Sequence, residues 1–230
     1  MKEIDTNLQF VKEEIHQACL KVGRAPADVK LIAVSKNFSA EKVREAYDLG
    51  QREFGENRVQ ELVRKQPLLP ADIEWHLIGT LQRNKVKEII DKVSLIHSVH
   101  KLTLAQEISK YALLHDKKNN ILLQVNIAME ESKSGFEQNE LLAEIKEICK
   151  LPGIKIKGLM TIAPLVGDPE EVRPVFRQLN LLARKIAGLK LPGVEMNELS
   201  MGMSEDFRIA VEEGATLVRI GSRIFGQRNY

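Results

Sequence analysis

The chain is poor in cysteine, with two, Cys19 and Cys149, among 230 residues. Neither has a CxxC or histidine spacing around it, which argues against a metal site and makes a buried thiol the ordinary reading. The sequence leaves a disulfide open, although so few cysteines without a signal peptide fit a reducing cytoplasm. Charge of one sign is also scarce. The net charge of +2 is too near neutral to suggest a nucleic-acid or acidic-membrane partner. No basic block is interleaved with aromatics. The opening "MKEIDTNLQF" has no apolar signal core, and no run approaches the ~18 apolar residues of a membrane helix. Linkers, low-complexity tracts and repeats of usable period are absent too. These absences leave a cytoplasmic globular protein as the expectation, with neither nucleic acid nor membrane as partner.

What is present is alternation. An apolar fraction of 43% and a charged fraction of 29% allow a sizeable core. Residues 6–22 set Leu8, Val11, Ile15, Ala18 and Cys19 on one helical stripe, which Gly23 can end. Short apolar runs then alternate with amphipathic ones. The runs are "VKLIAVSK", "REFGEN", "EWHLIGT", "SLIHSV", "NILLQVNI", "IKIKGLMTI", "VEMNELSM" and "TLVRIGS". Each is followed by a helical pattern, except that the last has little room for one. Ser39 and Gly50 fit as the start and stop of the first such helix. Eight strand–helix units in one domain of residues 1–230 predict an α/β fold, a single (β/α)₈ TIM barrel with an extra N-terminal helix. That helix would cap one end or replace the helix missing after strand eight. The competing fold is an open doubly wound sheet, weakened because no Gly-rich dinucleotide fingerprint follows the first strand.

In such barrels chemistry sits at the C-terminal strand ends. The first strand ends in a lysine, Lys36. If Lys36 points inward, so do Val34 and Ile32, branched residues of the kind that fill barrel cores. The plainer reading is that Lys36 snorkels to solvent. Strand eight adds weight to the functional one, because closure would bring Arg219 beside Lys36 at a similar height. Two adjacent cations would lower the lysine pKa toward a nucleophilic amine. Gly221 and Ser222 follow strand eight, and Ser200, Met201 and Gly202 end strand seven. Loops after these two strands are the recurrent phosphate site of the fold. A lysine beside a phosphate cup suits a phosphorylated carbonyl ligand. Pyridoxal 5′-phosphate fits, since it forms a Schiff base with lysine. A sugar-phosphate aldolase is the competing chemistry.

"AVSKNFS", "FGENRVQE", "WHLIGTLQRNK", "NIAMEESKSGF", "GLMTIAP", "LSMGMSEDF" and "RIGSRIFG" together resemble the pyridoxal phosphate homeostasis protein family, which is similar to the N-terminal barrel domain of alanine racemase. The resemblance spans nearly the whole chain, in order. It implies pyridoxal phosphate held by Lys36 as an internal aldimine. Ser200, Gly221 and Ser222 would hold the phosphate with the Met201 amide, and Arg219 would face the pyridine nitrogen. Asn57, His76 and Met160 would surround the ring, and Lys133 would be a secondary attachment point. A guanidinium donates and cannot accept a proton, so the ring nitrogen would stay unprotonated and the ring a weak electron sink. Alanine racemases carry a further β-rich domain that supplies a catalytic tyrosine. This sequence reaches Tyr230 straight after strand eight, and Tyr47 and Tyr111 fall in helical segments. The expectation is therefore a monomeric carrier and regulator of the cofactor, serving apo pyridoxal-phosphate enzymes without turnover. The alternative is a racemase-like enzyme, for which His76 is the nearest candidate acid/base.

Overall fold

The computed structural model describes residues 3–130 and 133–226. Eight parallel strands close on themselves in sequence order. They are β1 (Lys30–Val34), β2 (Glu53–Glu56), β3 (Glu74–Leu77), β4 (Leu95–Val99), β5 (Asn119–Gln124), β6 (Ile154–Met160), β7 (Val194–Ser200) and β8 (Leu217–Ile220). Pairing of β1 with β8 closes the ring and excludes an open sheet. The helices are α1 (Glu3–Lys21), α2 (Ala40–Asp48), α3 (Val59–Lys65), α4 (Val86–Ile89), α5 (Leu102–Leu114), α6 (Gln138–Ile148), α7 (Arg173–Ala187), α8 (Phe207–Glu212) and α9 (Ser222–Phe225).

Strand alternation sorts side chains into two apolar regions. Ile32, Leu95, Leu122, Met160 and Leu217 pack inside the barrel. The larger core lies between strands and helices, where the α7 stripe of Phe176, Leu179, Leu182, Ala183 and Ile186 is buried. The α1 stripe expected from the sequence is buried as well, with Ile4 added. That helix packs against α8 and α9. Asn7 donates to the Ile224 carbonyl, and Glu14 pairs with Arg208 at 3.2 Å and Arg223 at 2.9 Å. So α1 completes the outer ring where α9, with four residues, is too short to do so. Cys19 is buried, Cys149 is half-buried, and both are free thiols.

Except for β4, which ends with its run at Val99, the strands end one to three residues earlier than the apolar runs suggest. Ser35–Lys36, Asn57, Gly79–Thr80 and Gly221–Ser222 therefore belong to turns at the mouth rather than to the ladder.

Candidate functional site

A cavity of about 260 Å³ opens at the C-terminal mouth of the barrel. Val34 and Lys36 line it, and Ile32 lies below them in the barrel interior. Lys36 is half-buried in the turn between β1 and α2. Both of its neighbours are clamped. Ser35 N–H donates to the Gly55 carbonyl at 3.0 Å, and Ser35 Oγ donates to Glu56 Oε1 at 2.7 Å. On α3, Lys65 Nζ donates at 2.7 Å to both the Ser35 carbonyl and Glu56 Oε1. Glu61 Oε2, also on α3, accepts from the Asn37 N–H at 2.8 Å. Asn37 takes φ 66°, a left-handed conformation that asparagine tolerates better than most residues. Burial pushes the Glu56 carboxyl above its ordinary range against the pull of Lys65. This network fixes the turn on both sides of the lysine.

The opposite wall comes from the loops after β7 and β8. Gly202 turns the chain at φ 92°, where a Cβ would come 2.6 Å from that of Ala210 and 2.9 Å from Phe207 Cα. The turn brings Ser204 Oγ to 3.0 Å from Ser222 Oγ. Met203, Ser204, Gly221 and Ser222 all line the cavity. Arg219 lines it from beneath. It pairs in the ladder with Ile32, four residues before Lys36, so it roots deeper than a position level with the lysine. Its buried guanidinium donates to the Thr161 carbonyl at 2.9 Å and to Ser200 Oγ. Burial lowers its pKa to about 10, opposed by Asp206, so it stays charged at neutral pH. Burial in turn raises the Asp206 carboxyl, which accepts from the Met203 N–H.

Of the residues expected at the site, Lys36, Asn57, Arg219, Gly221 and Ser222 converge on this cavity, and the others do not. Strand β7 runs through Ser200, which keeps that hydroxyl inside the barrel under Arg219. The Met201 N–H donates to the Leu217 carbonyl at 3.2 Å and is not available to a phosphate. Met160 is fully buried in the interior cluster. His76 lies on the inner face of β3, bonded to His97 and Glu53. Lys133 sits in the loop after β5, donating to Glu130 and the Ala163 carbonyl, away from the cavity lining. Tyr230 falls outside the described residues.

Sequence reasoning missed Met203, Ser204, Thr80, Gln124 and Ile162 in the lining. The signal for Ser204 is its place two residues after Gly202, where a turn frees the chain from the ladder. A groove of about 560 Å³ lies elsewhere. It lies toward the barrel floor, where Arg24, Arg177 and Glu213 are already bonded within the fold.

Three comparisons bear on this geometry. Residues 7–229 match the family described as alanine racemase, N-terminal domain. The pyridoxal phosphate homeostasis protein of Aquifex aeolicus is 45% identical over 224 residues, covering 97% of each chain. Two structures of PipY from Synechococcus elongatus PCC7942 superpose closely. The one without pyridoxal phosphate is 40% identical with a TM-score of 0.84, covering 94% of this chain and 99% of that one. The one with pyridoxal phosphate bound is 39% identical with a TM-score of 0.82, covering 92% and 100%.

Proposed function

The chain belongs to the pyridoxal phosphate homeostasis protein family, and from that premise we propose that it binds pyridoxal 5′-phosphate at the barrel mouth and holds it for release to apo-enzymes. The observation that carries this reading is the convergence of one lysine, one buried arginine and two facing hydroxyls on a single cavity. When bound, the cofactor supplies an aldehyde that links reversibly to a primary amine and absorbs visible light.

The residues present fit that group. Ser204 and Ser222 each offer a hydroxyl that can donate to a phosphate oxygen. A Cβ at Gly221 would come 2.9 Å from the Val34 carbonyl, so the wall there closes down to bare backbone. Lys36, its neighbours Ser35 and Asn37 clamped, lines the cavity and would supply the amine. Arg219 approaches from below as a donor without lone pairs, suited to an unprotonated ring nitrogen. Asn57 lines the same cavity and would border the ring.

We read the protein as a carrier rather than an enzyme. Among the described residues lining the cavity, the titratable side chains are Lys36 and Arg219. His76, the nearest candidate for an opposing acid/base, is tied to Glu53 and His97 instead. Action as a monomer, in the cytoplasm, over one domain of residues 1–230 belongs to the same proposal. Among the described residues no helix is long and apolar enough to cross a membrane.

Two experiments test the reading. Titration of the apo protein with pyridoxal phosphate should develop a visible band that Lys36→Ala abolishes, and a colourless wild type would overturn cofactor binding. Solvent deuterium incorporation at Cα, run over an amino-acid panel, should not exceed that of free cofactor. Exchange well above it, lost in Lys36→Ala, would make the protein an enzyme.

A further inference from the structure

Below the mouth, the barrel interior holds two histidines that do not line the cavity. His76 on β3 and His97 on β4 are both buried. Their rings meet edge to face, with His76 Nδ1 2.9 Å from His97 Nε2. His97 Nδ1 lies 2.8 Å from Ser200 Oγ, and Ser200 Oγ accepts from Arg219. At the other end, His76 Nε2 lies 2.5 Å from Glu53 Oε2. The second oxygen of Glu53 is 3.3 Å from Lys30 Nζ, at the barrel floor. Side chains from β2, β3, β4, β7 and β8 thus link floor to cavity in series.

The two ends of this series fix its hydrogens. A guanidinium only donates, and an ionised carboxylate only accepts. Arg219 therefore donates to Ser200, whose own hydrogen is left to donate to His97 Nδ1. The His97 hydrogen then sits on Nε2 and donates to His76 Nδ1. The His76 hydrogen, on Nε2, donates to Glu53. Every donor has an acceptor, and both rings are neutral. Burial, with the Arg219 charge alongside, pushes the His97 ring well below the ordinary histidine range. The reverse order needs a second proton on His76 and strands the Ser200 hydroxyl hydrogen in a buried site, which is costly.

We propose that Glu53, His76, His97 and Ser200 are positioning residues, a one-way hydrogen-bond chain that orients the Arg219 guanidinium toward the ligand in the mouth. The proposal rests on the cofactor reading for the identity of that ligand. Arg219 has five N–H donors. One goes to Ser200 and one to the Thr161 carbonyl. Two anchors set both the plane and the rotation of the group, and the remaining donors are left for the ring. With Ser200 removed, the guanidinium would turn on a single bond.

The test uses nitrogen-15-labelled protein without cofactor. Ring-nitrogen correlations at neutral pH should place the hydrogen on Nε2 of both His76 and His97. The Arg219 Nη signals should be separate, reporting slow rotation. In Ser200→Ala and His97→Leu those signals should merge, and pyridoxal phosphate should bind about tenfold more weakly. His97→Gln keeps the order, with an amide oxygen toward Ser200 and an amide nitrogen toward His76, and should behave as wild type in both measurements. A hydrogen on His97 Nδ1, or a cationic ring, would overturn the chain. Unchanged Arg219 rotation and unchanged affinity in Ser200→Ala would overturn its positioning role. The nitrogen spectra need no cofactor, so failure of the wild type to bind pyridoxal phosphate would count against the proposed function alone.

Discussion

Two hydroxyls at 3.0 Å, on Ser204 and Ser222, sit where the loops after β7 and β8 meet. Each can donate, so a phosphate oxygen near both would take a hydrogen from each. Ser204→Ala and Ser222→Ala should each weaken pyridoxal phosphate binding about tenfold, as expected for one hydrogen bond to a charged group. Both should leave the affinity for unphosphorylated pyridoxal unchanged, and equilibrium titration with the two ligands separates the cases. His97 carries a second residue-scale expectation. Its ring is held neutral in the fold, whereas an unfolded histidine takes a proton below about pH 6.5. A depressed folded pKa means that this contribution to stability is intact above about pH 6.5. It is lost as pH falls toward the folded value, at about 1.4 kcal/mol per pH unit. Urea midpoints between about pH 7 and pH 5.5 should therefore fall further for wild type than for His97→Gln. Lys36 and Arg219 were legible in the sequence because a cation ending an apolar strand has few places to go. Ser204 was not, because choosing it over Ser200 needs the strand end to within a residue or two, which apolar runs do not mark.

At the scale of elements, α3 matters more for what it holds than for its length. Lys65 joins the Ser35 carbonyl to Glu56 in a buried site. Lys65→Met would leave the Glu56 charge without its partner and should cost about 3–5 kcal/mol in urea unfolding. The turn after β7 is the second such device. Gly202→Ala forces a side chain onto φ 92° against Phe207 and Ala210. It should lower the midpoint and weaken cofactor binding together, because the same turn delivers Ser204. Glu56 and Glu61 lie in the "FGENRVQE" segment, yet their grip on the Lys36 turn crosses from β2 and α3 to β1. A long-range contact of this kind leaves no local pattern.

For the whole molecule, closure does what no single element can. Pairing β8 with β1 sets Arg219 beneath the lysine turn, and α1 covers the gap that the short α9 leaves. Period and count made the barrel legible. The contents of its interior were less so, since His76 and His97 read as ordinary strand residues until the ring brings five strands together. The central claim is that one amine at the mouth, Lys36, holds pyridoxal phosphate. Reducing the cofactor-loaded protein with borohydride and mapping the modified peptide tests it most directly. The expected result is a single pyridoxyl group on Lys36, with none fixed in Lys36→Ala. A pyridoxyl group on another lysine at full yield, with Lys36 unmodified, would contradict the account.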